Sequence, residues 1–262
     1  PLPPPPDWPI PTFSLRIDDL SHLGVKLFFD NVDPIRLMRD ATLAVFQWLY
    51  VTTDKAPKHV QTILLVLRPM EGVAYTTGSE TAKEIHLACQ HIVNCADRCS
   101  DEVHGVVIHE VVHCYQYNGQ DACPGGLIEG IADWVRLRSG FIPPHWSPGG
   151  SSWDAGYHVT AYFLQWLTER YGEGTVQEIN GLMKDAPYDE CIFKTVTGRK
   201  VNKLWKLYKE YLGEGGAGLS TGQGLLMTAP SDGDITRLGL AGGTVTHDYL
   251  DQYRLDPGLS TM

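Results

Sequence analysis

Residues 106–137 read VVIHEVVHCYQYNGQDACPGGLIEGIADWVRL, and the reading of this stretch decides how the rest of the chain is understood. His109 and His113 stand four apart, with Glu110 beside the first. Residues i and i+4 of a helix lie one turn apart on the same face, so both imidazoles can address one metal ion. Glu110 falls about 100° further round the axis, near such an ion without pointing at it. That position suits a general base acting on water beside the metal, which is the mechanical content of an HExxH pattern. The same letters also arise by chance. Val111 and Val112 equally suit an apolar core helix whose histidines hydrogen-bond elsewhere.

The second half of the stretch bears on that choice. LIEGIAD, residues 127–133, sets Glu129 and Asp133 four apart on one face of a following helix. A catalytic zinc usually takes three protein ligands and leaves one position open. Glu129 would complete a His2Glu set, with Asp133 orienting a ligating imidazole through its other nitrogen; Asp133 as the third ligand is the competing assignment. A solvated acidic face is the bland alternative. Leu127, Ile128, Ile131, Ala132, Trp134 and Val135 make the helix largely apolar, however, and carboxylates on a buried helix need partners. Tyr157 opens a third helix in WDAGYHVTAYF, where its phenol is placed either to donate to an oxyanion or simply to pack. His158 beside it faces another way.

Composition bounds the function classes. The chain has 262 residues, with 43% hydrophobic and 20% charged, as in ordinary globular proteins. A net charge of −10 and no basic cluster argue against nucleic-acid partners and anionic membrane surfaces. No apolar run reaches the length of a membrane span. The opening PLPPPPDWPIP looks like the trimmed start of a mature protein and favours an extended arm over residues 1–12. Of six cysteines, Cys89, Cys95, Cys99, Cys114 and Cys123 crowd one region without zinc-ribbon spacing. Disulfides in a secreted, extracellular protein are the preferred reading over free buried thiols, with Cys114–Cys123 one candidate pair.

Periodicity gives an α+β order, with strands first and helices afterwards. Short strands are expected over residues 13–19, 24–31, 60–70, 72–78 and 83–92. A helix is expected over residues 33–51, capped by Asp33, with Ile35, Met38, Val45, Phe46 and Leu49 as its apolar stripe. From Ser100 the pattern turns helical, through residues 100–117, 127–140, 153–172, 175–185 and 201–213. The Gly/Ser-rich stretch from 214 to 262 reads as an extension to a catalytic domain over 13–213. That domain divides into an N-lobe to about 118 and a C-lobe from about 126.

Residues 109–146 followed by WDAGYHVTAYFL resemble the basic secretory protein family of plants and fungi, whose members are held to be zinc metallopeptidases of the thermolysin-like, HExxH-bearing gluzincin superfamily. MEGVAYTTG, EIHLACQHI and GRKVNKLWKLYKEYL also look like that family, and the likeness covers about residues 13 to 212. The resemblance implies a zincin-like fold, with an N-terminal twisted mixed β-sheet over the HExxH helix and a mostly helical C-terminal lobe. It also implies one catalytic zinc ion on His109, His113 and Glu129, with Asp133 behind them and Glu110 and Tyr157 catalytic. Gly72, Val73, Ala74, Tyr75 and Thr76 would form the edge strand that pairs with extended substrate. This chain is acidic where the family is basic, so functions tied to positive charge do not carry over. The expected function is a secreted zinc metallopeptidase acting on protein or peptide substrates. A non-enzymatic secreted defence or binding protein on the same fold is the alternative.

Overall fold

The computed structural model describes residues 7–213. The first six residues of the expected arm, and the whole extension from 214, lie outside them. Four strands, β1 (Thr12–Ile17), β2 (Thr62–Arg68), β3 (Ala74–Gly78) and β4 (Ala82–Ala88), form one sheet in the order β1-β2-β4-β3. β1 and β4 both run parallel to β2, whereas β3 is antiparallel to β4 and forms an edge. The near-continuous apolar run of β2 is explained by its central place, with Ile63, Leu65, Val66 and Leu67 all buried. Gly78, at φ 114°, begins the tight return from β3 to β4; a Cβ there would lie 2.3 Å from the Ala82 carbonyl oxygen.

A parallel β1–β2 pair needs a long crossover, and the regular elements within it are all helical. α1 (Leu23–Asn31) replaces the strand expected over 24–31. The apparent alternation there is a helical period, because Gly24, Val25 and Phe28 are the residues that face inward. His22 caps the helix by accepting from the Gly24 N–H at 3.0 Å. α2 (Pro34–Val45) begins as expected, with Asp33 accepting from the N–H groups of Ile35 and Arg36. It runs into a π-helical turn, Phe46–Tyr50. Met38, Val45, Phe46 and Leu49 are buried, but Ile35 faces solvent. Trp8 of the N-terminal arm stacks on Phe46. The strand expected over 83–92 stops at Ala88, where α3 (Cys89–Asn94) begins.

Helices then dominate: α4 (Cys99–Tyr115), α5 (Gly125–Arg138), α6 (Tyr157–Tyr171), α7 (Thr175–Leu182), α8 (Cys191–Thr197) and α9 (Val201–Gly213). Only the short α8 was not anticipated from the periodicity. The architecture is therefore α+β, a small mixed sheet followed by helices. One hydrophobic core runs from Val25 to Tyr208, so the two expected lobes share it. No helix among the described residues is long and apolar enough to cross a membrane.

The expected disulfides are not formed, and all six cysteines are free. In the candidate pair Cys114–Cys123, each thiol has a partner of its own. Cys114 Sγ donates to the Glu110 carbonyl inside α4, and Cys123 Sγ donates to the Pro124 carbonyl. Burial pushes both thiols up to about 12, which keeps them protonated and inert.

α4 and α5 are locked together by a buried ion cluster. Arg136 Nη2 of α5 donates to Glu102 Oε2 of α4 at 3.1 Å, and Arg98 Nη1 donates to the same oxygen at 2.6 Å. His91 lies 3.5 Å from the other carboxylate oxygen. The guanidinium of Arg136 lies over Gly105, where a Cβ would come within 2.5 Å of Nε. Burial alone would raise the Glu102 pKa, but His91, Arg136 and Arg98 outweigh it and hold the group at about 2. A depressed carboxyl pKa adds stability above the unfolded value of 4.5, and that stability is lost as pH falls through about 2. Glu102→Gln should therefore cost about 2 kcal/mol at pH 7, after allowance for partial exposure. The gap between variant and wild-type urea midpoints should narrow steadily from about pH 4.5 towards pH 2.

Candidate active site

His109 and His113 lie in the last two turns of α4, and their Nε2 atoms approach to 3.1 Å. Glu129, in the second turn of α5, brings Oε2 to 3.1 Å from His109 Nε2 and 3.7 Å from His113 Nε2. Donor atoms of these three side chains all fall within 4.8 Å of one another, a group able to hold a metal ion. Ligands about 2.0–2.1 Å from a tetrahedral zinc stand about 3.3 Å apart. The three observed separations straddle that value, so this donor set fits such an ion without rearrangement.

Each imidazole is fixed from behind. His109 Nδ1 bonds to Asp133 Oδ1 at 2.7 Å, and Asp133 is almost fully buried. His113 Nδ1 meets the side-chain amide of Gln116, the C-cap of α4, at 2.6 Å. Placed with its nitrogen toward the ring, that amide leaves Oε1 buried and without a partner. The amide can equally be placed the other way round, with Oε1 accepting from His113 Nδ1–H, which leaves the lone pair of His113 Nε2 facing the other donors. Gln116 was missed in the sequence, although its place one turn beyond His113 on the same face is the available signal.

Two contacts hold α5 so that Glu129 reaches across. Gly126 passes so close beneath Asp154 that a Cβ would meet its carbonyl oxygen at 1.8 Å. Gly130 lies equally close to Thr160 of α6, at 2.2 Å. The electrostatics follow the geometry. Burial opposes charge on His109, but the hydrogen bonds to Asp133 and Glu129 prevail and raise it to about 10. Burial would likewise raise Glu129, yet the two imidazoles hold it well below the usual carboxylate range. Acceptors that draw a proton onto this site draw a metal cation by the same attraction.

Glu110 is only 5% exposed. Its carboxylate is contacted from the sheet, with Thr76 Oγ1 at 2.7 Å from Oε2 and 2.9 Å from the Glu110 carbonyl oxygen. Tyr157 stands at the first position of α6. Its ring is nearly parallel to that of His109, with centroids 6.2 Å apart, and the residue is 56% exposed. Tyr157 carries a positive φ of 48°, following Gly156 at 89°. Glu129 above all, then burial, Asp133 and Glu110, raise the phenol pKa, so it remains a donor at neutral pH. His158 turns away and stacks on Trp146.

The expected substrate strand needs one adjustment. Ala74, Tyr75 and Thr76 lie in edge strand β3, but Gly72 and Val73 form the bend that leads into it. Gly72 has φ 82°, incompatible with strand geometry, and β3 instead extends on to Gly78.

Residues 10–208 match the model of a family, BSP, described as a peptidase of plants and bacteria. The chain belongs to this family. The match spans most of the chain and includes every residue of the site. Searches among curated proteins and solved structures find no match. Membership makes a peptide or protein the substrate class.

If the residues behind the imidazoles tune the donor set, Asp133→Asn and Gln116→Ala should each weaken metal binding about 10–100-fold. Competition against a chromogenic chelator, with circular dichroism to verify folding, gives that measurement.

Proposed function

We propose that this protein is a secreted zinc-dependent endopeptidase. The observation that carries the reading is the convergence of His109, His113 and Glu129 donor atoms beside a buried glutamate, Glu110, within a peptidase family. Two imidazoles and a carboxylate drawn together in this way suit zinc, and three protein donors would leave a position for water. When bound there, zinc supplies Lewis acidity, bringing the pKa of water towards 7 and polarising a carbonyl. The extracellular location rests on the family alone, since the free cysteines lend it no crosslink.

The chain's own residues supply the remaining chemistry. Asp133 and Gln116 hold the two rings in orientation. An extended peptide adds to the free edge of β3, which offers main-chain pairing to the interior of a substrate chain. A cavity of about 750 Å³, bordered by His113, Gln116, His59 and Lys83, adjoins the site and leaves room for substrate side chains. Glu110 takes a proton from the attacking water and afterwards delivers it to the leaving amine. The Tyr157 phenol, exposed and protonated, swings to donate a hydrogen bond to the oxyanion.

Glu110→Gln should retain about one equivalent of zinc by elemental analysis while turnover of a mixed peptide library falls about 10²–10⁴-fold. Wild-type turnover in that variant would sink the mechanism. Tyr157→Phe should lower kcat about 10²–10³-fold, again without loss of metal.

A further inference from the structure

Thr76 stands where the substrate strand and the general base meet. Its side chain and its backbone face different partners, and the ladder of β3 on β4 shows which. Thr76 lies opposite Ile85, and Tyr75 opposite His86. Beyond the two ends of β3, the Ala88 N–H donates to the Val73 carbonyl, and the Ser79 N–H donates to the Ala82 carbonyl. Hydrogen-bonded pairs in an antiparallel ladder recur at every second residue. The residues of β3 bonded inward to β4 are therefore Tyr75 and Thr77, in step with Val73 and Ser79. Ala74, Thr76 and Gly78 turn their N–H and C=O groups outward, to the open edge of the sheet. Thr76 is thus a residue whose main chain an added peptide would pair with. Its side chain stands out of the plane of the sheet, toward α4, and reaches the Glu110 carboxylate at 2.7 Å.

We propose that Thr76 is a positioning residue, which aims the Glu110 carboxylate and couples that aim to the docking of peptide on β3; the proposal rests on the peptidase reading of the site. The hydroxyl carries one hydrogen and faces two acceptors on Glu110, its carboxylate and its main-chain carbonyl. While the carboxylate is free, the hydrogen is shared with Oε2. The proton taken from water goes to the other carboxyl oxygen, Oε1, so Oε2 goes on accepting from the hydroxyl while Oε1 delivers the proton to the leaving amine. The threonine proton never leaves its oxygen. Glu110 therefore keeps a partner through the whole transfer without releasing its position. A carboxylate in a buried site with no such partner would sample several rotamers, and small misplacements of a reacting group are costly.

The test compares Thr76→Val, which keeps the β-branched shape and the strand backbone, with Thr76→Ser, which keeps the hydroxyl. In the zinc-loaded full chain, with a peptide substrate cleaved by wild type, Thr76→Val should lower kcat about 10–100-fold with KM within about twofold. Thr76→Ser should restore at least about half of the lost rate. In a Glu110→Gln background, Thr76→Val should change residual turnover less than about twofold, because there is no longer a carboxylate to aim. Wild-type kcat in Thr76→Val overturns the proposal. So does a serine variant as slow as the valine one, or a valine effect that persists in full beside Glu110→Gln. The Thr76–Glu110 link is also read without turnover, from urea midpoints of the two single variants and the double variant. Sub-additive midpoint shifts support the link, and additive shifts overturn it, even if wild type proves not to cleave peptides.

Discussion

The hydrogen bond from His109 to Asp133 is the contact on which the site depends. It joins α4 to α5 at the level of the proposed metal, and the Glu102–Arg136 pair repeats the link nearer the start of α4. The pairs 102–136, 109–133 and 113–129 step in opposite directions along the two helices, so the helices run antiparallel. Two polar links at different heights fix their relative sliding as well as their separation. Apolar packing of Val106, Ile131 and Trp134 would tolerate other registers, because it is not directional. Buried charges are not so tolerant, since a slip by one residue would leave a carboxylate without its partner. Glu129 reaches both imidazoles only in the one register that also satisfies Asp133 and Glu102.

The sheet completes the site from the other side. β3 is the last strand in the sheet order, antiparallel to its one neighbour β4, so a free edge lies beside α4. The short return at Gly78 keeps β3 on β4 and so keeps Thr76 within reach of Glu110. Proposed ligands and proposed base therefore depend on different supports. α5 holds the ligands, through Glu129 and Asp133, whereas the sheet holds the base. α4 carries one member of each set in adjacent positions, His109 and Glu110, which point about 100° apart.

The parts of this arrangement legible in the sequence were those with a period or a fixed spacing. Four-residue spacing placed His109 with His113 and Glu129 with Asp133, and the apolar neighbours of the second pair implied burial that the structure bears out. Asp33 and Pro34 marked the start of α2 through local capping chemistry. Legibility failed where a short segment satisfied two periods. Residues 24–31 alternate as well as they wind, and contact with Cys89, which forces Gly24 close to its backbone, is not written locally. It failed again for Gln116 and for the Thr76 hydroxyl, whose partners lie 3 and 34 residues away. The cysteines misled for a related reason: crowding in sequence is not proximity of Sγ atoms, and each of Cys114 and Cys123 is occupied by a carbonyl of its own segment.

The charge balance of the site argues for a metal ion over protons as the counter-charge. Asp133 is almost wholly buried, Glu110 nearly so, and Glu129 is partly covered. Three carboxylates there face two imidazoles, and no lysine or arginine forms an ion pair with them among the described residues. A single proton on His109 serves Asp133 or Glu129 through one nitrogen each, but His113 then turns its own Nε2 on the same point at 3.1 Å. Two nitrogens and an oxygen aimed at one small volume share a single proton poorly, because a hydrogen bond joins two heavy atoms in a near-linear geometry. A divalent cation accepts all three donors at once and offsets two negative charges. The backing bonds from Asp133 and Gln116 then have a purpose that a proton-filled site would not require, which is to hold both Nε2 lone pairs toward that point.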